Sequence, residues 1–114
     1  MSKRIQRLNQ LIKKEVAQLI LREVEFPKDV LVTVTRAEVT PDLREGKIYV
    51  SVMPEKKEGQ ILDFLNRGIF LLQKKIDKRL KMRPVPKISF VEEKRTAEAG
   101  RIEEILEELK KKEK

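Results

Sequence analysis

Apolar residues recur along the first part of the chain at the spacing of a helix. Between residues 2 and 24 they fall every three or four positions, which places them on one side of a helical wheel. The stripe consists of Ile5, Leu8, Ile12, Val16, Leu19 and Ile20. The pattern predicts an amphipathic helix over 2–24. It ends before Pro27, because the residue that precedes a proline disfavours the helical backbone.

A strand pattern with one change of phase follows the helix. Over residues 30–39, Val32 and Val34 alternate on one side, and Ala37 and Val39 then alternate in the opposite phase. One extra residue in a strand reverses the phase in this way. The sequence therefore predicts a strand over 30–39 with a β-bulge near Arg36.

The next segment reads as a turn and a returning strand. Pro41, Asp42 and Gly46 supply turn chemistry. Residues 47–53 then alternate again, and they place Ile48, Val50 and Val52 on one face. Together with residues 30–39 they predict an antiparallel hairpin.

A long amphipathic segment over 60–81 carries a glycine in its middle. Its apolar stripe runs from Ile61 to Leu80, and Gly68 interrupts it, although glycine inside a helix costs about 1 kcal/mol relative to alanine. We therefore expect a bend at Gly68 or a close approach to the backbone there. Prolines after residue 82 close the segment, since proline cannot continue a helix.

The remaining segments complete an α+β order of elements. Residues 87–92 alternate as a third strand, and residues 96–114 predict a last helix with a frayed lysine-rich end. The economical packing of this order is a three-stranded sheet with helices on one face. The length of 114 residues suits a single domain, 1–114.

Composition restricts the function more than it defines it. The formal net charge is +8, which favours a polyanionic partner, with nucleic acid before an acidic membrane. The chain has no cysteine and no histidine, which removes thiolate chemistry and the usual general base. No apolar run approaches the ~20 residues of a membrane span, and no signal peptide is visible. We expect a cytoplasmic protein that is not an enzyme and that needs no cofactor, metal or small-molecule substrate.

The basic residues around Gly68 are the first candidate site. A break there would begin a second helix, whose first N–H groups are free donors at the positive end of the helix dipole. Arg67 can grip a phosphate bidentately, and the missing Cβ of Gly68 lets a sugar–phosphate strand approach. Lys74, Lys78 and Lys81 share one sector of the helical wheel with Arg67.

Further basic residues offer weaker candidates for the same role. Lys75 projects near the apolar stripe, and Arg36 lies at the expected bulge. Lys3, Arg7 and Lys14 lie opposite the apolar stripe of the first helix and form a second possible contact edge. Each of these rows can equally be a solvated helix face, because lysine is common on helices.

The order of elements resembles the type II KH fold, a module that binds single-stranded RNA. The GxxG loop of that fold is absent, and the chain is more similar to the ribosome-binding factor A family. Stretches of the chain that carry the resemblance are "RIQRLNQLIKKEVAQLI", "VTVTRAEVTPDLREGKIYVSV", "LKMRPVPKISF" and the pattern of Glu98, Arg101 and Ile102. The family's Ala-x-Gly kink corresponds to Asn66, Arg67 and Gly68, which adds Asn66 to the candidate RNA-binding residues.

The resemblance implies a role in assembly of the small ribosomal subunit. Members associate with the free 30S subunit or its precursor, contact 16S ribosomal RNA, assist maturation of its 5′ end and are linked to growth in the cold. We therefore expect a monomeric KH-like protein that binds precursor 16S ribosomal RNA. Two alternatives stay open: a general KH-type RNA binder with another target, and a protein–protein adaptor whose charge serves solubility.

Overall fold

A computed structural model describes residues 3–93 of the chain. The elements are α1 (Lys3–Glu23), β1 (Leu31–Val39), β2 (Glu45–Met53), α2 (Glu58–Arg67), α3 (Ile69–Arg79) and β3 (Lys87–Glu92), with a short 3-10 turn at Glu55–Lys57 before α2. The predicted α+β order is confirmed, including the break of the long helical segment at Gly68. The expected last helix, 96–114, lies outside the described residues.

The three strands form one sheet in the order β1-β2-β3. β1 and β2 are antiparallel, and β2 and β3 are parallel. The predicted bulge is present, because Val34 pairs with Val50 while Arg36 pairs with Tyr49, so that Thr35 is the extra residue. The bulge explains why buried side chains change phase along β1.

The hairpin turn differs from the prediction in one residue. Gly46 lies in β2 opposite Val39 and is buried, so it is not part of the turn. The residue with left-handed backbone is Leu43, with φ of 61°. Asp42 organises this turn, because its Oδ1 accepts hydrogen bonds from the Thr40 hydroxyl at 2.6 Å and from the Arg44 N–H at 3.1 Å.

The helices pack on one face of the sheet and enclose an aliphatic core. α1 packs mainly on β1, and α2 packs mainly on β3, while α1 and α3 contact each other. Among the described residues no polar or charged side chain is buried. Fully buried members of the core include Ile12, Val16, Ile48, Val50, Leu65 and Ile76. This packing leaves the outer sides of α1 and α3 on the molecular surface.

The second half of the bent helix ends earlier than the sequence pattern indicates. α3 stops at Arg79, and Leu80 takes an extended backbone with ψ of 129° while its side chain remains buried. Because Lys81 follows this end, helical periodicity does not place it with Lys74 and Lys78. None of the helices within residues 3–93 is long and apolar enough to cross a membrane.

Candidate nucleic-acid interface

The backbone at Gly68 divides two helices and begins a new one. The Gly68 N–H still donates to the Phe64 carbonyl at 3.3 Å, and the first bond of α3 runs from the Leu72 N–H to the Gly68 carbonyl at 3.3 Å. The N–H groups of Ile69, Phe70 and Leu71 therefore precede the first hydrogen bond within α3. No side chain caps this helix start.

The fold itself does not require a glycine at this position. Gly68 has φ of −90° and ψ of 9°, which other residues also adopt. An added Cβ would lie 3.8 Å from the Phe64 carbonyl oxygen and 3.9 Å from that of Leu65, which is ordinary van der Waals contact. Glycine is thus neither conformationally nor sterically required at this junction, and its missing Cβ leaves the backbone of the helix start open to a ligand.

Arg67 projects into solvent beside the bend. Its side chain is 80% exposed, and its guanidinium pairs with Asp63 at 2.9 Å, one turn earlier in α2. Exposed pairs of this kind contribute only about 0.2–0.5 kcal/mol. A phosphate can therefore compete for the guanidinium at little energetic cost.

Lys74 and Lys78 form a lysine ridge on the outer side of α3. They are exposed and lie one turn apart, about 6 Å along the axis. The Lys74 ammonium lies 4.6 Å from the centre of the exposed Phe70 ring, a cation–π contact that orients the side chain. Within residues 3–93 neither lysine forms an ion pair, and neither does Lys81.

Lys75 does not join the lysine ridge. Its ammonium contacts Glu23 of α1 at 2.6 Å, and Arg79 contacts Glu15 of α1 at 3.0 Å. The Lys75 contact lowers the pKa of the Glu23 carboxyl, first through the hydrogen bond and then through the opposite charge. These two pairs fasten α1 to α3 and use both acidic residues of α1, which leaves its outer side without a carboxylate.

The outer side of α1 carries the predicted basic row of Lys3, Arg7 and Lys14. All three are exposed, and within the described part of the chain none of them forms an ion pair. Lys81 lines a cleft together with Arg4, at the start of α1. This cleft brings a cation of α1 close to one that follows α3, and both helices of the layer carry positive charge.

Arg36 lies on the opposite, open side of the sheet. Its guanidinium stacks on the Tyr49 ring at 3.8 Å, contacts Glu93 at 3.0 Å and forms an ion pair with Glu38. Two carboxylates therefore neutralise its charge. The structure therefore separates Arg36 from the candidate cations of the helical layer, although Arg36 lines one cleft together with Asn66.

Asn66 is an exposed residue whose amide is nevertheless engaged within the chain. Its amide nitrogen donates to the Phe90 carbonyl at 3.0 Å, and its oxygen accepts from the Phe90 N–H at 3.0 Å. Gln73, which sequence reasoning missed, makes similar bonds to the Pro86 carbonyl at 3.1 Å and the Ile88 N–H at 2.8 Å. The only signal in the sequence is the spacing of two amides by seven residues, or two helical turns.

A groove opens beside the bend, between the end of α1 and the two halves of the bent helix. Its volume is about 790 Å³, and its walls include Val24, Phe64 and Leu71. Arg67 and Gly68 lie on its lining. Phe64 and Leu71 are 52% and 64% exposed, so the bend is bordered by accessible apolar surface as well as by cations.

Two carboxyl groups, those of Glu58 and Glu92, interact at the other end of α2. A hydrogen bond to Glu92, followed by burial and by the charges of Glu92 and Glu55, raises the pKa of Glu58 to about 7. This acidic pair lies at the end of β3, away from the lysine ridge. No local sequence pattern indicates this pair, because Glu58 and Glu92 are far apart in the chain.

The chain matches known proteins along most of its length. A family model described as ribosome-binding factor A matches residues 4–106. A ribosome-binding factor A from Thermodesulfovibrio yellowstonii is 35% identical over 109 residues, covering 96% of this chain and 92% of that protein. The corresponding protein of Bdellovibrio bacteriovorus is 38% identical over 108 residues, covering 94% of this chain and 81% of that one.

Solved structures agree with the sequence matches. The crystal structure of ribosome-binding factor A from Thermus thermophilus has a TM-score of 0.66 and 25% identity, covering 77% of this chain and 94% of that chain. Coordinates of the same protein, fitted as a homology model into a cryo-EM map of a 30S complex, have a TM-score of 0.64 and 26% identity. They cover 75% of this chain and 90% of that one.

Proposed function

The chain belongs to the ribosome-binding factor A family, and from that premise we propose that it binds the free 30S subunit or its precursor through 16S ribosomal RNA. It assists maturation of the 5′ end of that RNA and supports growth in the cold. The protein acts in the cytoplasm as a monomeric KH-like domain and catalyses no reaction. The Thermus thermophilus relative in a 30S complex supports the choice of partner.

One observation supports the RNA-binding surface above the others. Arg67 and the lysine ridge, Lys74 and Lys78, flank a helix break at a glycine that the fold does not need. A polyanion explains both features, since it attracts the cations and its backbone approaches Gly68 closely. Lys81 and the basic row of α1 extend the contact.

The proposed binding is electrostatic and reads shape rather than base sequence. Lysine and arginine contacts to phosphates position a protein on nucleic acid but carry no sequence information. Stacking contributes less, because Tyr49 is covered by Arg36, and the exposed Phe70 ring already carries the Lys74 ammonium. Asn66, Lys75 and Arg36, whose side chains are engaged within the chain, are the weakest members of the predicted contact set.

Sedimentation tests the proposal directly. We expect the purified chain to co-sediment with free 30S subunits and their precursors, and not with 70S ribosomes. Replacing Arg67, Lys74 and Lys78 together by alanine should abolish co-sedimentation at moderate salt. Co-sedimentation of that variant at the level of the parent would contradict the proposed surface.

A protein–protein adaptor is the second candidate, favoured by the exposed apolar residues beside the ridge. Phe70 is 67% exposed and Leu71 is 64% exposed. An adaptor would bind an isolated ribosomal protein, and digestion of the RNA would leave that binding intact. Loss of association after ribonuclease treatment favours the RNA contact.

A further inference from the structure

The outer edge of β3 faces away from the rest of the sheet. The Glu93 N–H donates to the Val50 carbonyl at 2.9 Å, on the side of β2. Because N–H groups alternate in direction along a strand, those of Ile88 and Phe90 point to the other side. Unpaired groups on such an edge attract further strands.

Two side-chain amides occupy this edge. Asn66 exchanges two hydrogen bonds with the backbone of Phe90, and Gln73 bonds the backbone of both Pro86 and Ile88. The Gln73 amide nitrogen also donates to Asp77 at 3.0 Å, so its donors and its oxygen are all engaged. We call Asn66 and Gln73 the amide latch.

The latch spans the bend. Asn66 belongs to α2 and Gln73 to α3, with Gly68 between them. Seven helical residues advance about 10 Å, and the strand from Phe90 back to residue 87 covers about the same distance at ~3.3 Å per residue. The distance between the two amides along the helix therefore matches the distance between their hydrogen-bond partners along β3, and each half of the bent helix is attached to that strand.

We propose that Asn66 and Gln73 are positioning residues that fix the bend at Gly68 and with it the placement of Arg67 relative to the lysine ridge. The inference rests on the proposed RNA-binding function. Asn66 then influences RNA through the geometry of the bend, and its amide makes no contact with RNA. A preorganised surface binds with less loss of conformational entropy than one that must be ordered on binding.

The geometric part is tested without RNA. The chain has no cysteine, so Gly59→Cys and Lys78→Cys introduce one spin-label pair across the bend, and a Cβ at Gly59 meets nothing within 4 Å. We expect a single narrow distance distribution in this background. The distribution should broaden after Asn66→Leu or Gln73→Leu, with faster hydrogen exchange at the Phe90 or Ile88 amide. An unchanged distribution would overturn the positioning role.

The functional part compares affinities for a 16S ribosomal RNA transcript at fixed salt. We expect Asn66→Leu and Gln73→Leu each to weaken binding about three- to tenfold through added ordering cost. The double variant should be no weaker than either single one, because both residues act on one bend. The salt dependence should stay constant, since no phosphate contact is lost. Gln60→Leu, at an exposed glutamine of α2, is the matched control.

Other outcomes identify which part fails. If Asn66→Leu weakens binding and Gln73→Leu does not, Asn66 contacts RNA directly and the positioning role is wrong. Asn66→Asp keeps the acceptor for the Phe90 N–H and should recover part of the affinity if Asn66→Leu folds poorly. If the Arg67, Lys74 and Lys78 triple alanine variant binds like the parent, the proposed RNA-binding surface is wrong, and if the parent itself does not bind the transcript, the proposed function fails, whatever the spin labels show.

Discussion

At the scale of single residues, Gly68 is a position where the fold does not require glycine but a bound ligand can. Its backbone angles and its surroundings both accept a Cβ. A glycine that neither backbone angles nor packing demands leaves the backbone accessible to another molecule. Arg67 and Arg36 differ in the same respect. Arg36 is neutralised by Glu38 and Glu93 within the chain, whereas Arg67 is exposed and has one weak ion pair.

Gly68→Ala should therefore lower the affinity for RNA without lowering the stability of the fold. We expect the free energy of unfolding to stay constant or to rise by about 0.4–1 kcal/mol, because alanine lowers the entropy of the unfolded chain. Affinity for 16S ribosomal RNA should fall about tenfold, as for loss of one hydrogen bond to a charged group. Urea unfolding and RNA titration measure the two effects. A destabilised variant with unchanged affinity would contradict this account of the glycine.

Glu58 gives a prediction about pH. Its pKa is raised to about 7 in the folded chain, above the ordinary value of 4.5. The folded state therefore binds the extra proton more tightly, and the stabilisation is complete below pH 4.5 and is lost as the pH rises through 7. We expect unfolding at lower urea concentration at pH 8 than at pH 5.5. Glu58→Gln should flatten this difference, and an equal pH dependence in the variant would contradict the raised pKa of Glu58.

At the scale of elements, the pairing of α1 with α3 decides which cations are free. Glu15 and Glu23 each hold one cation of α3. Lys75 and Lys78 are three residues apart on the same helix, but only Lys75 has a carboxylate partner among the described residues. The availability of each lysine for RNA therefore depends on its ion-pair partners and not on the number of lysines in the helix.

Lys75 and Lys78 form a matched pair for mutation. Lys78→Ala should reduce the slope of log affinity against log salt by about 0.7, the value for one phosphate contact on a single strand. Lys75→Ala should change that slope little, because Glu23 already neutralises the ammonium. RNA titrations at several salt concentrations measure both, and equal effects of the two variants would contradict the assigned pairing.

The elements were largely predictable from sequence, and the contacts between them were not. Both the bulge and the break at Gly68 leave local signals in the sequence. The bulge reverses the phase of the apolar alternation, and the break places a glycine within an apolar helical stripe. The pairing of Lys75 with Glu23 and of Gln73 with Ile88 depends on how distant segments pack, which no local pattern records. The end of α3 was misplaced for a similar reason, because the buried Leu80 continues the apolar stripe after the backbone has become extended.

At the scale of the whole molecule, the charge is distributed unevenly between the two sides of the sheet. The helical layer carries the lysine ridge, Arg67 and the basic row of α1. On the open side, Glu38 and Glu93 neutralise Arg36, while Lys47 and Lys87 are exposed at separate positions of β2 and β3. A protein with this distribution should meet a polyanion with its helices.

The most direct test of that orientation is the salt dependence of binding to 16S ribosomal RNA, measured for two variants of equal net charge. One replaces Arg67, Lys74 and Lys78 by alanine, and the other replaces Lys28, Lys47 and Lys87, which are exposed elsewhere. We predict that the first lowers the salt slope by about 2, as for three phosphate contacts, with nearly unchanged melting temperature, and that the second binds like the parent. Equal losses in both variants would show that net charge alone drives binding and would contradict a site at the bend.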